Sequence, residues 1–397
     1  MSLSVSLPER CELIEDYFHL GLHYCEILEF LAKYHNIFLS LRQLHRILRS
    51  RGLKRANSCS PLADIVRALE LEMKKTGESV GYRMMHNRLT QLHSLNVGKE
   101  VVRLLLKQLD PNGVEHRKCR RLKRRNYLSC GPNYIWHIDG WDKLKPFGLT
   151  VHGCIDGYSR RIIWLKGSTT NNDPFVVCGH FVESCTEING LPQIIRSDRG
   201  TENVNIESLQ RVLRSFNDDV RGQTQTAFLY GKSTHNQRIE SWWSKFKCLG
   251  MDIWIKHFKS LVHIGILDTS LTAHTQCVRF CYMALFCRTL NEIKCLWNIH
   301  HIRKSRNDST KSGKPDVLYF LPTLCGSQDR KIPFSSEDMS ILAEELVHQP
   351  PAACAEPYKE LFEIFMFEGN RTMPTSLNEA SILLTYLLDT LDRHLQQ

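Results

Sequence analysis

Residues 134–140 read Tyr-Ile-Trp-His-Ile-Asp-Gly, a short run of strand-forming residues that ends in an acid followed by glycine. Aromatic and β-branched residues favour an extended strand, and glycine allows the chain to turn where the strand opens out. Two further extended runs follow at 149–155 and 161–166. The stretch therefore predicts the start of a sheet, with Asp139 near the end of its first strand.

The pattern between residues 131 and 255 alternates strands and helices. After the first three strands, the predicted elements are a helix at 174–188, a strand at 192–196, a helix at 206–216, a strand at 227–230 and a helix at 236–247. Three strands, helix, strand, helix, strand, helix is the order of the ribonuclease-H-like fold. We therefore expect an α/β protein with a ribonuclease-H-like catalytic core, preceded by all-α units and followed by helices.

An all-α unit is predicted at the beginning of the chain. Residues 9–55 contain three short segments of helical periodicity, and Ser40 can cap the third. On that helix the leucines and isoleucine face inward, whereas Arg42, Arg46 and Arg49 face outward. A short helix, a turn and a basic third helix are typical of a DNA-binding helix-turn-helix. A generic three-helix bundle is the alternative.

A second helical unit is predicted directly after the first. Residues 61–110 indicate three further helices, the last of which exposes Arg103. The segments 81–86 and 101–105 together resemble the helix-turn-helix placed ahead of the integrase core in many bacterial transposases. The resemblance implies a second DNA-binding unit.

A strongly basic segment joins these units to the core. Residues 117–125 read RKCRRLKRR, with seven Lys or Arg in nine positions. Like charges at this density repel, so the free segment should be extended or only marginally helical. It could clamp phosphates, act as a nuclear import signal, or serve as a solvated linker; the first two are compatible. The candidate DNA contacts in it are Arg120, Arg121, Lys123, Arg124 and Arg125.

The net charge of +10 is unevenly distributed. Residues 1–130 contain 23 Lys and Arg against 13 Asp and Glu, residues 131–330 contain 25 against 18, and residues 331–397 contain 4 against 11. Polyanion contact is therefore expected of the first two regions, with nucleic acid as the obvious partner and a solvated basic surface as the alternative. The predicted division is 1–56 and 61–115 (helix-turn-helix-like units), 116–130 (basic linker), 131–255 (catalytic core), 256–330 (helical extension) and 331–397 (acidic C-terminal region).

The composition is that of a globular protein. Hydrophobic residues make up 42% and charged residues 24% of the 397 residues, which argues against global disorder. No run of about 18 or more apolar residues occurs, so no membrane span or membrane partner is expected. The first residues lack a basic segment followed by an apolar one, so we expect no secretory signal and an intracellular, nuclear location.

Three widely spaced acids form the candidate catalytic set. Asp139 follows the first strand, Asp198 ends the fourth, and Glu240 lies in the first turn of a helix. Phosphodiester cleavage and strand transfer place negative charge on the attacking and leaving oxygens, which two Mg²⁺ or Mn²⁺ ions about 3.5–4 Å apart can neutralise. Because Mg²⁺ prefers oxygen ligands and keeps several waters, a few carboxylates converging from separate elements are enough.

The segments that carry these acids are similar to the signature blocks of the integrase core superfamily, which retroviral integrases and many DDE transposases share. The blocks are Trp136–Gly140, Ser197–Asn203 and His235–Trp243. The stretch Cys154–Arg160 matches the second strand and its turn, where the acid is usually not a metal ligand. The similarity is strong over about residues 130–260.

The resemblance implies roles for individual residues. Asp139 and Asp198 would hold the metal ions and Glu240 would complete the site. Lys247, seven residues after Glu240 and on nearly the same helix face, resembles the basic residue that steers the DNA end. Arg238 and Lys245 on the same helix are further candidates for phosphate contacts.

The sequence departs from the retroviral pattern in three respects. Between Asp198 and Glu240 lie 41 residues, more than is typical of retroviral integrases. A surface loop over 216–225 can hold the extra length at little cost, or the third acid is misassigned and Glu202 is its rival. The zinc-binding N-terminal domain is absent, its place being taken by the helical units, and no chromodomain-like C-terminus is visible.

Two functions are consistent with these features. The first is a DDE-type integrase or transposase, a polynucleotidyl transferase that uses Mg²⁺ or Mn²⁺ to cut and join DNA. The second is a domesticated DNA-binding protein that keeps the fold without a catalytic role. Over residues 10–325 the organisation is similar, more weakly, to integrase-core-domain proteins of animal genomes that are thought to derive from mobile elements. Related transposases act as multimers, so a homo-oligomer is expected.

Overall fold

The structure is a computed structural model that describes residues 7–54, 59–76, 80–116, 129–216, 226–231, 236–304, 312–348 and 353–395. By its internal contacts the chain divides into two units. The N-terminal unit comprises Met1–Asn126 and Ile299–Ser327, and the core unit comprises Tyr127–Asn298 and Gln328–Gln397.

The described helices and strands are numbered in chain order. The helices are Leu7–His19 (α1), Tyr24–His35 (α2), Leu41–Ser50 (α3), Leu62–Thr76 (α4), Tyr82–Gln91 (α5), Lys99–Leu109 (α6), Pro111–His116 (α7), Pro174–Ile188 (α8), Val204–Ser215 (α9), Gln237–Phe246 (α10), Asp252–His263 (α11), Thr272–Asn298 (α12), Pro315–Phe320 (α13), Ser336–Leu346 (α14), Glu356–Glu368 (α15) and Leu377–Leu395 (α16). The strands are Ile135–Trp141 (β1), Thr150–Asp156 (β2), Ile162–Ser168 (β3), Ile194–Ser197 (β4) and Phe228–Tyr230 (β5).

The core unit contains one mixed sheet with the strand order β3-β2-β1-β4-β5. The strand β1 pairs antiparallel with β2 and parallel with β4, and β5 pairs parallel with β4. The predicted order of strands and helices between 131 and 255 is confirmed, and α8 has the predicted bounds. The result is a mixed α/β fold that is consistent with a ribonuclease-H-like integrase core.

Alternation along β1 divides its side chains between the two faces of the sheet. Trp136 lies on one face, where its ring is 6.3 Å from that of Phe181 on α8. Asp139 and Trp141 lie on the other face, and the Trp141 ring is 5.0 Å from that of Phe246 on α10. We call these the α8 face and the α10 face.

The helix α12 packs against β3 on the α10 face of the sheet. A Cβ atom at Gly167 of β3 would lie 2.8 Å from Cδ1 of Leu290 and 3.0 Å from two ring atoms of Phe286 on this helix. Glycine is therefore required here by the close approach of helix and strand. The last helix of the chain's described part, α16, also packs on α12.

The path from α10 to α11 is a short π-helical turn instead of a loop. It spans Lys247–Met251 and contains Gly250 at a φ of 149°, a backbone conformation that favours glycine. In the ranges that the structure describes, no helix is long and apolar enough to cross a bilayer.

The first three helices of the N-terminal unit form where the sequence predicts them. Ser40 caps α3: its hydroxyl accepts a hydrogen bond from the Gln43 backbone at 3.2 Å, and the Gln43 side chain accepts one from the Ser40 backbone at 2.8 Å. The buried core of this bundle includes Leu31 and Leu44 and also Leu321, from the segment Ile299–Ser327 of the same unit. Its assignment as a helix-turn-helix remains a prediction.

The helix α4, the helix α5 and the turn after α5 surround a buried carboxylate. Glu72 is fully buried, and its oxygens lie 2.8 Å from Arg88, 3.0 Å from His93 and 3.2 Å from Lys75. Burial opposes ionisation of this carboxyl, but the hydrogen bonds from His93 and Arg88 and the nearby positive charges leave its pKa below the ordinary value. The network joins α4 to α5 and to the turn that follows α5.

Replacing Arg88 with alanine would remove the closest cation from the buried Glu72. Breaking a buried ion pair by removing one partner costs about 3–5 kcal/mol. We expect Arg88→Ala to lower the local unfolding free energy of α4–α6 toward the lower end of that range, because Lys75 and His93 remain. Hydrogen exchange of peptides from α4–α6 in the full-length protein measures the change.

Arg67→Ala is the matched control on α4. The Arg67 side chain is 82% exposed and lies 4.0 Å from Asp64, so its loss should change the local free energy by less than about 0.5 kcal/mol. Equal effects of the two substitutions would contradict the structural role assigned to Arg88.

Candidate active site

The two aspartates of the candidate site are brought side by side by parallel strand pairing. Ile135, Trp136 and His137 of β1 pair with residues 194, 195 and 196 of β4. Continuing this register by two residues places Asp139 opposite Asp198. Both acids therefore lie toward the carboxyl ends of adjacent central strands, at one edge of the sheet.

Asn236 joins the helix that carries the third acid to the same strand. Asn236 immediately precedes α10, and its side chain is buried. The side-chain amide donates a hydrogen bond to the Ile138 carbonyl at 2.8 Å, and the Oδ1 atom lies 2.7 Å from His137 Nδ1. Burial lowers the pKa of His137 to about 3, so this imidazole is neutral and can donate from Nδ1 to Asn236. The first turn of α10, which contains Glu240, is thus tied to the residues that immediately precede Asp139.

Trp243 contacts Asp139 directly. The indole Nε1 donates to Asp139 Oδ2 at 2.7 Å, and the ring lies over Gly153, the residue paired with Asp139 across β1 and β2. A Cβ atom at Gly153 would lie 2.8 Å from the edge of the indole ring. The strand therefore needs glycine at this position to admit the ring that holds Asp139.

Negative charge from neighbouring acids raises the pKa of two of the three acids. Burial is the largest cause that brings the pKa of Asp139 to about 7; the Trp243 hydrogen bond lowers it, and the charges of Glu240 and Asp198 contribute to the rise. Burial and the charge of Asp198 also raise the pKa of Glu240. The residues predicted from three separate sequence blocks therefore lie within electrostatic range of one another.

The residues present suit a hard divalent cation. All three acids offer oxygen, which Mg²⁺ and Mn²⁺ prefer, and Asp198 Oδ1 is buried without a hydrogen-bond partner among the described residues. Over the described ranges, no three His, Cys, Asp or Glu side chains converge closely enough to coordinate one metal ion as they stand. A magnesium ion that keeps its waters needs only one or two protein carboxylates, so pairs of these acids fit it.

Asp156, the acid of the stretch Cys154–Arg160, has a structural role. Its Oδ1 accepts from the Asn133 backbone at 2.9 Å, and its Oδ2 accepts from the backbone and hydroxyl of Ser159, both at 2.7 Å. Burial raises its pKa to about 6 against these hydrogen bonds. It closes the turn between β2 and β3.

The basic residues of the α10 region make contacts within the protein. Arg238 donates to the Gly157 carbonyl at 2.9 Å, and Lys245 Nζ lies 4.9 Å from the centre of the Trp297 ring. Lys247 is exposed in the π-helical turn, with its Nζ 3.5 Å from Asp252. None of these contacts excludes a phosphate from Lys247, whose side chain remains more than half exposed.

The predicted DNA contacts of the N-terminal unit lie on its surface. Arg42, Arg46 and Arg49 are exposed on α3, and Arg103 pairs with Glu100 on α6. The predicted contacts of the basic linker lie outside the described residues: Arg120, Arg121, Lys123, Arg124 and Arg125.

The sequence blocks contained two supporting residues whose roles were not predicted. Asn236 precedes the predicted helix in the third block, but its contact with β1 requires the folded register. Trp243 lies three residues after Glu240 on the same helix face, which was the available signal that it belongs to the site. Both Trp242 and Trp243 are buried, so neither ring is free to stack on an unpaired base.

The class of protein follows from its similarity to known proteins. Residues 127–322 match the family model for the integrase core domain. A search of curated proteins gave no match. The chain is an integrase core domain protein.

The raised pKa of Asp139 predicts that the metal-free protein loses stability as the pH rises. Because the folded pKa of about 7 exceeds the ordinary value of 3.8, the folded state keeps a proton that the unfolded state has released between these values. This contribution is fully present below about pH 3.8 and is lost as the pH rises through about 7. In the presence of a chelator, the Tm of the wild type should therefore fall over this window relative to that of Asp139→Asn, as scanning calorimetry can measure.

Two further variants sharpen this measurement. Asp389→Asn, at an exposed position on α16, should follow the wild type. Trp243→Phe removes a donor that lowers the pKa of Asp139, so the inflection should move to higher pH. If the wild type and Asp139→Asn had the same pH dependence, burial of an ionisable Asp139 would be the wrong explanation.

Proposed function

We propose that this protein is a divalent-metal-dependent polynucleotidyl transferase that cleaves DNA strands and joins DNA ends. The observation that carries the proposal is the convergence of Asp139, Asp198 and Glu240 at one sheet edge, where the charge of Asp198 raises the pKa of both Asp139 and Glu240. Gathering like charges is unfavourable in a purely structural site, but it becomes favourable when a cation binds. Membership in the integrase core domain family supports the same reaction class.

Each acid has a distinct place in the proposed site. Asp139 and Asp198 would hold the cations and Glu240 would complete the set; bound Mg²⁺ or Mn²⁺ would neutralise charge on the attacking and leaving oxygens. The Trp243 indole donates a hydrogen bond to one oxygen of Asp139 and thereby fixes the orientation of this carboxylate. Asn236 holds Glu240 in register with β1 through the first turn of α10.

The partner that this chemistry requires is DNA. The exposed arginines of α3 and the exposed Lys247 supply positive charge in the two units, each of which can contact phosphates by itself. The same proposal includes a homo-oligomer, because joining two DNA ends requires two sites, and a nuclear location. The basic segment at 117–125 supports both phosphate contact and nuclear import.

Loss of any one acid should abolish strand cleavage. Nicking of supercoiled plasmid in Mg²⁺ or Mn²⁺ needs no knowledge of the target sequence and reports on the chemical step. We expect Asp139→Asn, Asp198→Asn and Glu240→Gln each to reduce the rate by about 10²-fold or more, the scale for losing one charge-stabilising group. A chelator should have the same effect on the wild type.

Asp389→Asn is the control, because it removes one carboxylate far along the chain on the surface of α16. Equal rates for the wild type and Asp139→Asn would refute the enzymatic proposal. The protein would then be a DNA-binding protein that keeps the integrase fold without catalysis.

The arginines of α3 should contribute to the salt dependence of DNA binding. Each phosphate contact adds about 0.9 to the slope of log K against log salt. We expect Arg42→Ala, Arg46→Ala and Arg49→Ala combined to reduce that slope by about 2–3. Fluorescence anisotropy with a labelled duplex over about 50–200 mM salt measures it.

A second variant that loses the same amount of positive charge tests whether the change in slope is specific to the arginines of α3. Replacing Lys359, Arg371 and Arg393 of the C-terminal region by alanine changes the net charge equally but removes no predicted contact. If both variants changed the slope alike, α3 would not be a DNA-binding surface.

A further inference from the structure

Glu202 lies on the turn that follows Asp198, at the same edge of the sheet. Its side chain folds back over Gly200, so that a Cβ atom at Gly200 would occupy the space of the Glu202 carboxylate. The Gly200 backbone has a φ of −76° and a ψ of 141°, which any residue can adopt. A methyl group here would therefore displace the end of the Glu202 side chain and would leave the backbone unstrained.

A chain of buried hydrogen-bonding groups reaches Glu202 from the α8 face of the sheet. Trp164 Nε1 donates to His152 Nδ1 at 3.0 Å, and Asn203 Nδ2 donates to Glu202 Oε1 at 2.8 Å. His152 and Asn203 are both buried, and neither His152 Nε2 nor Asn203 Oδ1 has a hydrogen-bond partner among the described residues. Asn203 nevertheless raises the pKa of His152 against the effect of burial, which indicates that the two side chains are neighbours.

Burial lowers the pKa of His152 to about 3, so the ring is neutral and carries one proton. Since Nδ1 accepts from Trp164, that proton is on Nε2. Asn203 donates to Glu202 through Nδ2, so its Oδ1 is the acceptor of the amide, and the two side chains carry complementary groups, a donor on His152 and an acceptor on Asn203. We call this series of neighbouring groups, from Trp164 through His152 and Asn203, the relay.

The relay holds the Glu202 carboxylate close to other acidic side chains. Burial raises the pKa of Glu202, and the negative charges of Asp198 and Asp142 raise it further. Such an arrangement is unfavourable in the metal-free protein, and a cation at Asp198 would relieve it.

We propose that Glu202 is a positioning residue of the metal site, held by the relay beside Asp198, where it stabilises the cation through its charge and by accepting hydrogen bonds from the cation's water shell. This inference rests on the proposed metal-dependent function. Mg²⁺ and Mn²⁺ keep several water ligands when they bind to proteins. Side chains that accept hydrogen bonds from those waters orient them and also increase the affinity of the protein for the metal. Glu202 thus has a role of its own and is not a substitute for Glu240.

Mn²⁺ binding to the full-length protein tests the proposal directly. Titration followed by electron paramagnetic resonance gives an affinity that does not depend on catalysis. Loss of an outer-shell partner lowers metal affinity by about 10- to 100-fold, so we expect Glu202→Gln to weaken Mn²⁺ binding by at least 10-fold. Glu202→Asp, which keeps the charge, should recover part of the loss.

Gly200→Ala provides a second variant that removes no functional group. Its methyl group displaces the Glu202 carboxylate without straining the backbone, so it should weaken Mn²⁺ binding in the same direction as Glu202→Gln. Glu183→Gln is the control, because Glu183 is an exposed acid on α8 that pairs with Lys166. In plasmid nicking, the Mn²⁺ concentration for half-maximal rate should rise in both test variants more than kcat falls.

The outcomes separate this inference from the proposed function. If Asp139→Asn abolishes Mn²⁺ binding while Glu202→Gln and Gly200→Ala bind like the wild type, Glu202 has no such role and the metal site stands. If Asp139→Asn itself binds Mn²⁺ like the wild type, the proposed function fails. A uniform fall in kcat without a change in Mn²⁺ affinity would also overturn the assignment of Glu202.

Discussion

Repulsion among neighbouring carboxylates is the constraint on which the core unit depends. Asp139, Asp198 and Glu240 come from a strand, a strand end and a helix, and their charges oppose one another in a partly buried place. Nothing in their own interaction would keep them together. The sheet, α10 and the hydrogen bonds between them must supply the free energy that does so, which explains why polar side chains are buried around an edge that would otherwise be apolar.

The edge is supported from both faces of the sheet. On the α10 face, Asn236 bonds to β1 and Trp243 bonds to Asp139. On the α8 face, the relay runs from Trp164 to the turn after Asp198. Each support uses a neutral donor or a neutral imidazole, so the acids are oriented without being neutralised by a fixed cation. A site built in this way would keep its negative charge available for the proposed metal ion.

The sequence predicted the elements of the core well, because strand and helix periodicities are local and the three acids mark element ends. It predicted less about contacts that depend on register. The bond from Trp243 to Asp139 requires β2 to present Gly153 beneath the indole, and the relay requires His152 and Asn203 to meet across 51 residues of sequence. Similarly, nothing in the pattern of residues 299–327 indicates that Leu321 packs into the bundle of α1–α3. Side-chain packing between distant segments has no periodicity to reveal it.

Gly153 and Gly167 show how this architecture responds to inherited variation. Neither residue carries a functional group, yet each leaves room for a ring or a methyl group from another element, Trp243 in one case and Leu290 in the other. Alanine and serine are chemically similar to glycine. At Gly153, however, either residue would displace the indole from Asp139, and at Gly167 either would separate α12 from β3. In a population, alleles at Gly153 would therefore disturb the candidate site much as alleles at Asp139 would, alleles at Gly167 would disturb the fold that carries it, and a ranking by residue similarity would miss both.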